Sequence, residues 1–230
     1  MKIDRTLDSK MLKIENLNPN WLPWVGVNFN SKDNKEKLLV VSESNYLTED
    51  VDVNMRDYMR KLIEKDGTLE GELYETDPQK HIGQRHKKLE KILGVNQNDI
   101  SKQRDFWSKT AYYNFIQTPL NSRDMKDRPH FSLYLEGWEV FFKLIDVLKP
   151  SFCVMNGVES FNHFYAKNAE FFGYTTIEKI ELDKIGVTYP RKIIIENASS
   201  GDKIKILFIK HTSRGMNLES WRAFVKSELS

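Results

Sequence analysis

Cysteine is almost missing from this chain. Cys153 is the only one in 230 residues, which excludes a disulfide framework, a Cys-rich zinc site and a four-cysteine iron–sulfur cluster. Long apolar runs are missing too, and none reaches the length of a bilayer-spanning helix. Met1 to Leu12 lacks the apolar core of a signal peptide, so a cytoplasmic location is expected. No Pro/Gly/Ser-rich linker, internal repeat or long low-complexity tract divides the sequence. One domain over 1–230 is therefore expected, with an N-terminal arm at about 1–20 and an insertion at about 66–100. Charge of one sign is not in excess either: 35 Lys and Arg face 33 Asp and Glu, a formal net of +2. That total does not describe a strongly basic nucleic-acid binder, although a local basic groove is compatible with it. What remains, 30% charged and 40% hydrophobic residues, is the composition of a soluble globular protein.

The most informative stretch is Lys37 to Tyr46, Lys-Leu-Leu-Val-Val-Ser-Glu-Ser-Asn-Tyr. A short apolar run between polar neighbours fits a strand buried on both faces. Ligands of open α/β sheets bind outside the carboxyl ends of strands. Ser42, Glu43, Ser44, Asn45 and Tyr46 therefore head the candidates for chemistry. Further strands are expected near 111–117, 151–156 and 203–209. The turn-rich Asn197 to Asp202 makes 191–195 the other arm of a hairpin. Helices are expected over Asp50–Lys65, Gln79–Leu93, Leu133–Leu148, Val158–Phe171 and Leu218–Leu229. The fold class is then α/β: a three-layer α/β/α sandwich around a mostly parallel four-stranded sheet with an antiparallel edge strand.

Lys80, His81, Arg85, His86, Lys87, Lys88 and Lys91 make the second helix basic. A solvated helix face and a phosphate-contacting surface both fit that run. His81 and His86 are five residues apart and do not share a face well, so metal binding there is not expected. Asn114 is a polar residue among apolar ones, and a buried amide must find partners or serve a ligand. His211-Thr212-Ser213-Arg214-Gly215-Met216 follows the last strand.

The loop after the first strand, Asn114, and the loop from His211, in that order, resemble the uracil-DNA glycosylase superfamily. The resemblance covers roughly residues 24–226. That family carries a first loop such as Gly-Gln-Asp-Pro-Tyr, an asparagine on a middle strand, and a His-Pro-Ser loop followed by a wedge residue. Lys-Pro-x-x-Cys-Val-Met-Asn-Gly, residues 149–157, looks like the family's third strand. The whole is most similar to an uncharacterised bacterial branch whose first loop reads like Gly-Glu-Ser-His-Tyr. Ser42 stands for the first glycine, Asn45 for proline, Thr212 for the proline of His-Pro-Ser, and Ser44 for the water-activating aspartate.

The resemblance implies hydrolysis of the N-glycosidic bond of uracil or another modified base. His211 would stabilise the departing base's oxygen, and Glu43 would position water and the cationic sugar. Asn114 would read a pyrimidine edge, Tyr46 would crowd its 5-position, and Phe115 would stack on it. Ser42, Ser44 and Asn45 would complete the base site. Ser213 would hold a phosphate, with Arg214 or Met216 as the wedge after base flipping. DNA, single strands included, or a nucleotide is the implied partner, with no membrane, metal or organic cofactor and with a monomer favoured. Other readings stand beside these. Glu43 could cap a helix or pair with a lysine, and His211 could be a structural histidine. Asn114 could bridge strands, Tyr46 could be a core aromatic, and Ser213-Arg214 could hold a nucleotide anion. The protein could then be a divergent base- or nucleotide-binding module, or an interaction protein with a decayed site.

Overall fold

Apolar runs hidden on both sides build the centre of the sheet, and longer amphipathic segments cover it. The structure, a computed structural model, describes residues 2–47, 56–66, 80–96, 98–121, 128–212 and 215–229, with backbone alone at 46–47, 62, 64–66, 80–85 and 121. In chain order the elements are α1 (Asp8–Met11), a 3₁₀ turn at Pro19–Trp21, β1 (Trp24–Val25), β2 (Leu38–Ser42), β3 (Tyr46–Leu47), α2 (Tyr58–Asp66), α3 (Lys80–Ile92) and α4 (Ile100–Ser108). They continue with β4 (Thr110–Asn114), β5 (Leu120–Asn121), α5 (Phe131–Leu148), β6 (Phe152–Asn156), α6 (Glu159–Asn162) and α7 (Ala166–Phe171). The chain then forms β7 (Tyr174–Glu181), β8 (Arg191–Asn197), β9 (Lys203–Ile209) and α8 (Leu218–Leu229).

The main sheet has seven strands in the order β1-β4-β2-β6-β9-β8-β7. The four expected strands form its parallel middle, β4-β2-β6-β9. The expected single antiparallel edge strand is corrected to three antiparallel strands: β8 and β7 on one side, β1 on the other. β7 was missed because one of its faces is wet. Its residues alternate in exposure, Thr-Thr-Ile-Glu-Lys-Ile-Glu from 175, so it never forms an apolar run. β3 and β5 pair separately as a short parallel ribbon.

Side chains alternate across a strand, and here each parity feeds a different core. Leu39, Val41, Ala111, Tyr113, Cys153, Met155 and Phe208 pack with α5 residues such as Trp138 and Phe142. Val40, Tyr112, Val154, Leu207 and Ile209 pack with α2, α3, α4 and α8 through Met59, Leu89, Trp107 and Trp221. The sheet is thus the middle of three layers. The residues 80–92 expected within an insertion are part of the second helical layer. Their basic helix is not solvated all round: His86 and Glu90 are turned inward and buried beside Leu89. The expected helix over 158–171 is broken into α6 and α7. At the break the Phe164 carbonyl accepts from Lys179 Nζ at 3.0 Å, and the Phe164 ring packs edge-on against Trp138 at 5.0 Å.

Arg60 of α2 fastens the N-terminal arm to the second layer. Its side chain is 1% exposed. It donates to Asp8 Oδ1 at 2.6 Å, Asp57 Oδ1 at 3.0 Å and the Pro23 carbonyl at 3.0 Å. Burial alone would raise the Asp57 carboxyl, but Arg5 and Arg60 together hold it below the ordinary 3.8. A depressed carboxylate contributes stability above its unfolded value and loses it as pH falls through the folded one. We therefore expect unfolding midpoints in urea to drop as pH is lowered below about 4. Asp57→Asn should flatten that part of the profile, and an unchanged slope would contradict this.

Candidate functional site at the carboxyl ends of the parallel strands

Three of the four strands end the parallel ladder on a polar residue. Ser42 is in register with Asn114 on one side and Asn156 on the other, and Asn156 pairs with Ile209. Each of these three apolar strands therefore stops where a hydrogen-bonding side chain begins. By parity these three side chains share the face of Val40, Tyr112 and Val154.

Asn114 is 1% exposed. Its Oδ1 accepts from the Tyr112 hydroxyl at 3.2 Å, and its Nδ2 is buried without a hydrogen-bond partner. Nearly all buried polar groups are satisfied, and an orphan donor costs about 1–3 kcal/mol. This donor lies at the carboxyl end of a parallel strand, the end at which open α/β sheets bind ligands. Tyr112→Phe removes the partner that fixes the amide, with an expected loss of about 1–2 kcal/mol. Urea titration would measure it, and a change below about 0.3 kcal/mol would show that Tyr112 does not hold the amide.

Asn156 does a different job. Its Oδ1 accepts the Thr212 backbone N–H at 3.0 Å, and its Nδ2 donates to Thr212 Oγ1 at 3.2 Å. Thr212 is fully buried, and its carbonyl accepts from Lys88 Nζ of α3 at 3.2 Å. This anchors the segment that carries His211, which is half-buried two residues after the end of β9. Among the expected site residues, Ser213 and Arg214 lie outside the described residues, as does the side chain of Tyr46.

The first loop is held on the other side. The carbonyls of Ser42, Glu43 and Asn45 accept from the amides of Phe115, Ile116 and Leu120 at 2.7, 2.9 and 2.9 Å. Glu43 Oε1 accepts from the Tyr134 hydroxyl of α5 at 3.0 Å. Gly157 has φ +143°, and a Cβ added there would sit 3.5 Å from Glu43 Cβ and Cδ. The Glu43 side chain therefore lies between the turn after β6 and the first turn of α5. Ser44 is buried, and the Asn45 amide donates to Met59 Sδ at 3.7 Å.

Two expected members are built into the cores. The Phe115 ring is 1% exposed, edge-on to Trp138 at 5.2 Å, with Gly137 so close that an added Cβ would lie 2.4 Å from it. Met216 is half-buried and packs on the second core with α8. No protein-family model matches this chain. No curated protein matches it either.

The sheet thus sets Ser42 in register between Asn114 and Asn156, Glu43 turns to Tyr134 of α5, and the Asn156–Thr212 pair holds the segment that follows β9. Sequence reading missed Asn156, Thr212 and Tyr134 as supports. Asn156 carried a signal, a polar residue ending an apolar run as Ser42 does. Tyr134 carried none, because its role depends on how α5 crosses the sheet. Among the described residues no three His, Cys, Asp or Glu side chains converge as a metal site would require.

Proposed function

We propose that this protein hydrolyses the N-glycosidic bond of uracil or another modified base in DNA, on a sheet arranged like that of the uracil-DNA glycosylase superfamily. The observation that carries the reading is the orphaned Nδ2 of Asn114, buried at the end of β4 beside two anchored loops. A pyrimidine carbonyl is the complementary acceptor. In this mechanism water attacks C1′ as the C1′–N bond breaks, and the base leaves as an anion. His211 would donate to the oxygen on which that charge develops. Glu43, held by Tyr134, would orient the water and stabilise the cationic sugar. The parallel strand order β4-β2-β6-β9, with chemistry at both the β2 and β9 ends, supports the same reading.

A second reading is favoured by Ser44. It stands at the family's aspartate position and is buried, which suits a module that binds a base without turning it over. A strand-nicking assay separates the two. Oligonucleotides bearing uracil, hypoxanthine or xanthine, single- and double-stranded, are incubated with excess protein and then treated with alkali. Abasic sites in any of them support the glycosylase. Retardation of these strands without cleavage supports the binding module, and neither result overturns both.

A further inference from the structure

An aromatic ridge stands beside Glu43 and takes no part in the chemistry proposed above. Phe131, at the first position of α5, is 52% exposed, and Tyr165, between α6 and α7, is 46% exposed. Their ring centroids are 6.4 Å apart at 80°. Behind them His163 stacks on Tyr134 at 4.4 Å and 24°, and Phe131 meets His163 edge-on at 5.4 Å. Tyr134 is the residue whose hydroxyl donates to Glu43, so the ridge and the first loop share a side chain. Two outward aromatic rings braced by inner ones are rigid and lose little entropy on contact. Phe171 and Tyr189 are exposed as well, but of these four rings only Phe131 and Tyr165 meet each other.

The charge around the ridge points to one kind of occupant. Arg128 and His130 are exposed just before α5. His130 is the N-cap of this 18-residue helix and makes no side-chain cap bond, so the helix presents its positive end at the ridge. Of the acids beside it among the described residues, Glu159 is engaged by His163 at 3.5 Å and by Asn162 at 3.2 Å, and Glu43 by the Tyr134 hydroxyl at 3.0 Å. Flat rings beside positive potential suit a base with its phosphate, since any nucleobase stacks on an aromatic face whatever its sequence.

We infer that Phe131 and Tyr165 form a stacking platform for an unpaired nucleobase of a single-stranded nucleic acid whose neighbouring nucleotide enters the Asn114 site. This rests on the proposed nucleic-acid function. It adds a second subsite and a preference for single strands.

The test uses the full chain and fluorescein-labelled single-stranded and duplex oligonucleotides containing one uracil. Fluorescence anisotropy gives the affinities, nicking gives the activity, and sedimentation velocity gives the assembly state. Phe131→Ala and Tyr165→Ala, each at a half-exposed position, should keep the wild-type unfolding midpoint. Each should bind single strands about tenfold more weakly, within the range for a lost base–aromatic stack, and bind duplex unchanged. Phe131→Trp should restore binding. Single-strand affinity that survives both truncations, in a wild type that binds or cleaves the strand, overturns the platform and leaves the proposed function standing. So does a wild-type dimer that the truncations split without changing affinity. A wild type that neither binds nor cleaves any strand overturns both.

Discussion

Under the proposed glycosylase function, His211→Ala is expected to slow base release by roughly 10²- to 10³-fold while leaving the fold intact. That is the effect of removing one donor aimed at a developing oxyanion. The structural part of the expectation rests on Thr212, next to His211, which is tied to Asn156 through its backbone N–H and its hydroxyl and to Lys88 through its carbonyl. These bonds of Thr212 remain when alanine replaces the imidazole, so the loop should stay in place. Single-turnover nicking of a uracil-containing strand would measure the rate, and thermal unfolding would confirm the fold. Because the lost interaction is strongest in the transition state, binding of uncleaved strand should change far less than the rate. A variant within threefold of wild type would remove His211 from the mechanism. Asn114→Ala should behave differently, weakening binding and rate together, since a base-reading amide contacts the ground state as well.

Among the described glycines, Gly26 is where an added methyl group should do the most damage. A Cβ at this position would lie 2.2 Å from the Trp107 carbonyl oxygen and 2.3 Å from that of Ser108. These are backbone atoms, and they are pinned. The Trp107 carbonyl accepts from Trp24 Nε1 at 2.9 Å, and the Ser108 carbonyl accepts from the Asn28 amide at 2.7 Å. Trp107 itself donates through Nε1 to Glu90 Oε1 at 2.7 Å. The α4-to-β4 turn cannot retreat without breaking this set, so the cost should exceed the usual overpacking range and reach about 4 kcal/mol or more. The melting temperature should fall by about 8–16 °C. Gly215→Ala is the control: nothing lies within 4 Å of its added methyl group, and its effect should stay within about 0.5 kcal/mol. A Gly26→Ala protein as stable as that control would show that β1 does not press against this turn.

The parts of the fold that were legible in the sequence were those whose burial is uniform. β2, β4, β6 and β9 are hidden on both faces, so their apolar runs stop abruptly at Ser42, Asn114, Asn156 and Lys210. α8 was readable to both ends because Trp221 and Val225 turn inward at a helical spacing. β7 was not, because an edge strand with one wet face alternates charges and reads as a loop. β1 was not, because two residues carry no period. α3 was placed correctly but its inner face was not, since His86 and Glu90 occupy inward positions normally filled by apolar residues. The same logic divides the site. Glu43, Asn114 and His211 could be placed at strand ends because each ends or follows an apolar run. Their supports could not, because Tyr112, Tyr134 and Thr212 acquire meaning only from strand register and from the crossing of α5.

The strand order has a consequence for how the molecule comes to be. β2 is made early in the chain but sits in the middle of the sheet, between β4 and β6, and β6 in turn needs β9. No local hairpin joins these four strands, and every pairing closes a long loop before any contact rewards it. During synthesis the run Leu38–Val41 must therefore wait, unpaired and apolar, until residues beyond 110 have emerged. The rung Asn114–Ser42–Asn156–Ile209 can close only after residue 209 is available. Folding should be slow for a chain of this size, with the candidate site among the last features to form. A nascent chain arrested before β9 should expose a sticky central sheet that chaperones recognise.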